Sequence, residues 1–583
     1  MASHSVDLLI VGAGLHGLIM AKTYLEVHPS AALLVVDESH SVGGTWARER
    51  LYPGLKTNNV FGSYELSDFP MVPERYGVQG TGHIPGHVVH AYLCDVVDHF
   101  EITPHLMLST KVTSATLLDG GLWSVTLKPV HESLKPVQVI QAARLVIATG
   151  LTSTPHIPQI PGSETFDRFI LHSKQLREQA QKLEQSKAVV VVGGNKSAWD
   201  VCYTAARAGS QVHMVVRQDG GGPSYLWPRQ FSLGQFTVSL AKLSTTRLFA
   251  LFDPAPFSSG PFSWQKRFLH QTYFGQMICQ MFWTYLDKLI RKLNGYNTHP
   301  ELQKLEPWAT PFWMGNSLSI HNYETSWFDL VREGKIHIHI ADLESLSPGK
   351  VHLADGTALE ADALVLCTGW TTDIPVKLAV EHDIAKEEKM AMETIHASIP
   401  YLSQLPKRTP NVPRYRDKST SPSQVKGPAF PLLYRDIIPV EEFFLRSKNL
   451  AFIGMSVSIH AVLIAQAQAL WITAFFSDKV GHLPQETFDA ERVRNRAILG
   501  RVYGQLRRPR ETGGLAGRHA DLVFDSLPYV DELLDDVGVT PARKGSWWCE
   551  LTEAYRVSDY RGIVQEWMRL WEIDSLKVEG LRS

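Results

Sequence analysis

Short apolar runs, separated by glycine turns and helix-length stretches, set the rhythm of this chain. Leu8, Leu9 and Ile10 lead into a turn at 12–17, a helix-length segment follows, and a second run from Leu33 to Val36 stops at Asp37. Runs this short and this uniformly apolar predict strands buried on both faces, and strand, helix, strand in that order predicts a parallel sheet. The order recurs from Ala188. Val189 to Val192 is a strand, 193–198 a turn, Trp199 to Ala208 a helix that Gly209 stops, and Val212 to Val216 the next strand. Two more apolar runs, Leu145 to Gly150 and Leu364 to Gly369, end in Thr-Gly on either side of this second unit, with Pro155 and Pro375 beyond them. Such turns let a chain leave one domain for another, so the second unit is expected to be inserted into the first. The fold expectation is α/β with two Rossmann-like domains. The first is built from 1–165 and 331–480, the second from 166–330, and a helical C-terminal region covers 481–583.

Two segments need separate treatment. No charged side chain lies between Lys448 and Asp478, a length that raises a transmembrane helix. Gly454, Ser456, Ser458, His460, Gln466 and Gln468 inside it are costly in lipid, and Leu450 to Gly454 has a strand's composition. A buried strand feeding a buried helix is therefore expected, and no membrane span. The stretch 231–310 exceeds what a βαβ unit needs, and it carries Trp264, Phe268, Tyr273, Phe274, Phe282, Trp283 and Tyr285. Its expected role is a helical core or a contact between copies of the chain, with a substrate vestibule or peripheral membrane contact as the competing role.

Composition narrows the classes. At 583 residues and 44% hydrophobic content the chain can bury several cores. Its net charge of −2 supplies no basic footprint for nucleic acid. Cys94, Cys202, Cys279, Cys367 and Cys549 are odd in number, widely spaced and without a CxxC pair. That predicts reduced thiols in a cytoplasmic protein, not a disulfide framework. The 24 histidines show no ligand spacing, so no metal site is expected. The first strand begins within a dozen residues of Met1, which argues against a signal peptide.

The turns carry the candidate chemistry. Gly12, Gly14 and Gly17 follow a strand, open a helix and precede Asp37 by 20 residues. In such a unit the first glycine makes the tight turn, the second lets a pyrophosphate approach the backbone, and the third lets helix and strand pack closely. The acid at the end of the next strand accepts hydrogen bonds from a ribose. In the second turn Gly193 is retained, Asn195 replaces the middle glycine and Ala198 the last, with Lys196 and Ser197 at the helix start. Asn195 is expected there for its tolerance of left-handed backbone. Arg217 ends the following strand, where a guanidinium can grip a ribose 2′-phosphate and favour NADPH; an ordinary surface arginine is the competing reading.

Further residues resemble the flavin-containing monooxygenases, through most of the chain. Gly43, Gly44, Thr45 and Trp46 match that family's Gly-Gly-x-Trp turn, and Leu55, Lys56, Thr57 and Asn58 resemble its Leu-x-Thr-Asn element. Leu450 to Gly454, with Gln466, Gln468 and Trp471, resembles its closing strand and helix, and Pro528 to Leu533 a segment of its C-terminal region. The family's Phe-x-Gly-x-x-x-His-x-x-x-Phe/Tyr sequence survives only as Phe166, Arg168, His172 and Leu176. Baeyer-Villiger monooxygenases share part of the pattern but tend to carry Asp where this chain has Asn58. The resemblance implies FAD in the first domain, NADPH in the second, and oxygenation of a small organic molecule by dioxygen through a C4a-(hydro)peroxyflavin. The outcome would be hydroxylation, epoxidation or heteroatom oxygenation, plausibly in specialised metabolite biosynthesis. The alternatives are a Baeyer-Villiger enzyme, an FAD oxidase or dehydrogenase without a working NADPH site, and a non-catalytic dinucleotide-binding or membrane-docking protein. The implied cofactor contacts are Gly12, Gly14, Gly17, Asp37, Gly44, Trp46, Thr57, Asn58, Gly193, Ser197, Arg217 and Gly369. Asn58 is the implied catalytic residue, a fixed amide dipole that stabilises a peroxide without offering it a proton, and turn capping beside Asn59 is its structural alternative. Lys196 is a further candidate NADPH contact, with a solvated residue at the helix start as the equal alternative. His172 is expected at the domain junction and outside the chemistry, and the chain's oligomeric state stays open.

Overall fold

The computed structural model describes the chain apart from residues 1–4, 79, 81, 131–135, 219, 257–260, 372–373, 377–383, 404–429, 484–487, 510–511, 514, 516–517 and 581–583, and the side chains of 573–580. Two sheets organise it. The first runs Leu106–Met107, Leu33–Val36, Ser5–Val11, Gln138–Ile147, Trp123–Pro129, Thr110–Leu117, with Leu450–Phe452 as a seventh strand parallel to the end of Gln138–Ile147. The second is wholly parallel, in the order Phe169–His172, Ala363–Leu366, Ala188–Val192, Gln211–Val216, Ile336–Ile340. A chain that returns at Leu450 to the sheet it left after Ile147 has the second domain inserted into the first. The two crossings meet, because Thr154–Pro155 pairs antiparallel with Trp370–Thr371. Both crossings follow a left-handed glycine, Gly150 at φ +65° and Gly369 at φ +90°.

The expected division at 330/331 lies inside the second sheet. Ile336 stands opposite Val212 and Ala363 opposite Val189, so the last strands of that sheet come from the stretch assigned to the first domain. For Ala363–Leu366 the physical reason is that a central parallel strand is apolar on both faces in either sheet, so hydrophobicity carries no record of which sheet it joins. Ile336–Ile340 is an edge strand alternating Ile and His, a pattern that equally fits the edge of either sheet.

Helix Ala461–Phe476 accounts for the long uncharged run. It is buried from Val462 to Phe476 and packs between helix Leu15–Val27 and helix Ser526–Asp536 of the C-terminal region. Its polar residues are spent inside the protein. Gln466 Oε1 accepts from the Ser67 backbone N–H at 2.9 Å and its hydroxyl at 3.0 Å, while Gln468 accepts from the Gly454 N–H and donates to the Tyr529 hydroxyl. Among the described residues no helix is long and apolar enough to cross a membrane.

Candidate functional site

The first turn is built by exclusion. Gly12 is left-handed at φ +116°, and a Cβ there would lie 2.4 Å from the Ala148 carbonyl oxygen; at Gly17 it would lie 1.9 Å from that of Gly12. No side chain fits at either place. Gly14 and Gly43 form a bridge, and a Cβ on Gly44 would come 3.0 Å from the Gly14 Cα, so the helix start stays bare only because both positions lack side chains. A bare helix N-terminus is where a pyrophosphate can sit. Asp37 is half-buried at the end of its strand, accepting from the Ala13 N–H at 2.6 Å and the Ser39 N–H at 2.8 Å. Trp46 donates to the Tyr64 hydroxyl at 2.7 Å. Burial pushes the His16 imidazole down to about 4, so the helix start carries no cationic histidine at neutral pH.

Asn58 lies in the strand Lys56–Val60, paired with His83–Pro85. Its neighbours are spent on structure. The Thr57 hydroxyl donates to the Asn59 carbonyl at 2.6 Å and accepts from the Ile84 N–H at 3.0 Å, and Asn59 donates to the Ile459 carbonyl at 2.6 Å, just before helix Ala461–Phe476. Asn58 Oδ1 is different, buried with no hydrogen-bond partner. It sits mid-strand, so turn capping does not explain it. A buried amide oxygen left unsatisfied costs about 1–3 kcal/mol, and it fits a polar group arriving from outside the chain. The paired His83 is pushed down to about 4 by burial, helped by the nearby Arg229.

The second turn departs from expectation in two ways. Gly193 is left-handed at φ +148°, its missing Cβ facing the Cys367 carbonyl at 2.5 Å, but Asn195 is extended at φ −95°. Its tolerance of left-handed backbone is therefore not what places it there. Lys196 turns inward, pairing with Asp200, donating to Asn322 Oδ1 at 2.9 Å and lying over the Tyr323 ring at 4.5 Å. Ser197 stays at the helix start and Arg217 is exposed at its strand end, where the sequence places them.

What surrounds Asp200 has no local signal along the chain. This buried carboxylate accepts from Tyr52 at 2.8 Å and Tyr323 at 2.9 Å, and Asn322 donates on to the Thr57 carbonyl at 3.2 Å. Burial and the Asp200 charge push both tyrosine hydroxyls well above their usual range, so they remain donors. Lys196, Asp200, Tyr52, Tyr323 and Asn322 thus tie the second glycine turn to the strand of Asn58. His172 lies at the crossing, bonded through Nε2 to the Gly369 carbonyl at 3.1 Å and edge-on to Trp370. It is packed structure, as expected. The five cysteines are free, and among the described residues no three metal-ligating side chains gather.

Comparison with known proteins follows the same outline. Residues 9–226 match the pyridine nucleotide-disulphide oxidoreductase family. The chain is 32% identical to an FAD-dependent monooxygenase of Aspergillus sclerotiorum, covering 96% of this chain and 98% of the relative. It is 33% identical to an FAD-dependent monooxygenase of Pyrenophora dematioidea, over 92% of this chain and 98% of that one. Among solved structures, cyclohexanone-bound cyclohexanone monooxygenase superposes with a TM-score of 0.57 over 92% of this chain and 98% of the other, at 18% identity. That identity speaks for the fold alone.

Proposed function

Because the chain belongs to the FAD-dependent monooxygenase family, we propose that it takes reducing equivalents from NADPH at its second sheet and, with dioxygen, puts one oxygen atom into a small organic molecule. The FAD implied at the first sheet would supply the activation of dioxygen. Everything else is the protein's work. Gly12, Gly14, Gly17 and Gly44 leave the backbone bare for the FAD pyrophosphate, and Asp37, already oriented by two N–H donors, turns its remaining lone pairs to the ribose. Trp46 and Thr57 hold the walls of the site, Trp46 through Tyr64 and Thr57 through Ile84. At the second sheet, Gly193 and Ser197 present the helix start to the NADPH pyrophosphate, Arg217 meets the 2′-phosphate and Gly369 leaves the crossing open.

The observation that carries this reading is the buried, unpartnered Asn58 amide oxygen on the strand that Asn59 fixes to Ile459 and Asn322 fixes to the NADPH side. An amide can present its oxygen or, after a half-turn, its N–H₂, and it cannot give up a proton at working pH. Held rigidly, with His16 and His83 both pushed by burial towards the neutral form, it would polarise an oxygen species in the site without giving it a proton. Uncoupled cysteines support a reducing compartment such as the cytoplasm, and specialised metabolism is the setting we assign to this oxygenation. The test is stoichiometric. The purified protein should release FAD on denaturation and consume NADPH, dioxygen and the organic substrate in equal amounts, one oxygen atom entering the product and the other leaving as water. Dioxygen consumed without NADPH, on an organic substrate alone, would instead identify an oxidase, the reading that the exposed Asn195 in place of the middle glycine supports.

A further inference from the structure

Helix Tyr273–Asn294 is apolar on two faces. Cys279, Trp283, Leu286 and Ile290 are buried on one. On the other, Tyr273, Met277, Met281 and Tyr285 follow at four-residue steps and are exposed by 86%, 40%, 64% and 53%. A helix needs one apolar stripe to join a core, and among the described residues the second stripe is left exposed. At 1.5 Å per residue it extends about 18 Å.

The stripe is part of a larger surface. Trp264, 72% exposed in the preceding helix Ser263–Gln271, stacks on Phe268, which meets Phe274 with ring centroids 6.5 Å apart. Phe262, directly before that helix, packs against Trp547, which is exposed together with Trp548. Tryptophan and tyrosine rings collected on an exposed face suit the boundary between lipid and water.

Charge decides the occupant. No acidic residue lies between Asp253 and Asp287, whereas the exposed Arg267 lies within that stretch and the exposed Lys288 and Lys292 just beyond it. Asp287 itself is held by Arg291 and the Tyr225 hydroxyl. A two-fold contact with a second copy would bring together two patches of the same positive sign, while an anionic lipid surface attracts them. We propose that this aromatic and basic face docks the protein on an anionic membrane surface, with helices Ser263–Gln271 and Tyr273–Asn294 lying in the interface plane. A cavity of about 270 Å³ adjoins Phe262 and Arg267, walled by Leu251, Ile395 and Tyr503 and by the charged side chains of Lys266 and Asp531.

The test is sedimentation of the full-length holoprotein with phosphatidylcholine vesicles with and without phosphatidylserine. The comparison is a variant carrying Tyr273→Ser, Met277→Ser and Met281→Ser, all solvent-facing changes whose integrity the retained flavin spectrum reports. The expected result is at least tenfold more wild-type protein pelleted with phosphatidylserine vesicles than with neutral ones, reversal by high salt, and loss of pelleting in the variant. The proposal is overturned if wild type stays in solution with both vesicles, or if the variant pellets as wild type does. It is equally overturned if wild type sizes as a dimer and the variant as a monomer with no vesicle binding, since the face would then be a contact between copies.

Discussion

Asn58→Leu separates stability from catalysis at a single position. Leucine has nearly the shape of asparagine but brings no polar atom into the protein. The Asn58 amide oxygen is buried without a partner, and leaving such a group unsatisfied costs about 1–3 kcal/mol. Removing it should therefore leave the cofactor-stripped protein as stable as wild type, or more stable by up to that amount. If the same amide polarises an oxygen species in the working enzyme, its loss should resemble the loss of one preorganised donor, about 10²–10³-fold in turnover. Two assays check this. Urea unfolding of the stripped protein reads stability, and product formed per NADPH oxidised, with hydrogen peroxide release measured alongside, reads coupling. The expected variant unfolds at the same or a higher urea midpoint, still oxidises NADPH, and releases most of the oxygen as hydrogen peroxide. A variant destabilised by more than about 1 kcal/mol that keeps its coupling would show that Asn58 serves the fold, and the reasoning would fail.

Other positions give shorter tests. Arg217→Ala should raise KM for NADPH about tenfold, one charge-assisted contact being worth roughly 1.4 kcal/mol, and leave NADH kinetics unchanged. Asp200→Asn strands the Lys196 charge and should lower stability by about 3 kcal/mol in chemical denaturation, with slower flavin reduction by NADPH, while pairing it with Lys196→Met should recover most of the stability. Burial pushes His460 down to about 4 from an ordinary 6.5. The unfolded chain therefore binds the extra proton between these values, and stability is held in full above about pH 6.5 and lost as pH falls towards 4. His460→Gln should flatten that loss by at most about 3 kcal/mol, read as the slope of Tm against pH.

The cofactor turns were legible because backbone sterics write them into the sequence. Gly12 and Gly17 face carbonyl oxygens at distances no Cβ survives, and glycine has no substitute there. Helix Ala461–Phe476 was legible for the opposite reason, since its glutamines and the histidine just before it had to be spent inside protein. Sheet membership was not legible for Ala363–Leu366, apolar on both faces, or for Ile336–Ile340, whose alternation of Ile and His suits the edge of either sheet. The inward turn of Lys196 was hidden as well. Its partners Asp200, Asn322 and Tyr323, and Tyr52 behind them, come together only through tertiary packing, Tyr52 lying 148 residues from Asp200 along the chain. Nothing local to Asn195 or Lys196 distinguishes a phosphate contact from a buried ion pair.

The central claim, NADPH-driven oxygenation by a flavin held at the first sheet, is tested most directly by following the visible flavin absorbance anaerobically after adding NADPH, and then admitting dioxygen. The account predicts a yellow protein that NADPH bleaches and dioxygen restores, with NADH much less effective. A yellow protein that NADPH leaves oxidised would contradict the assignment of the second sheet to NADPH, and with it the proposed reaction.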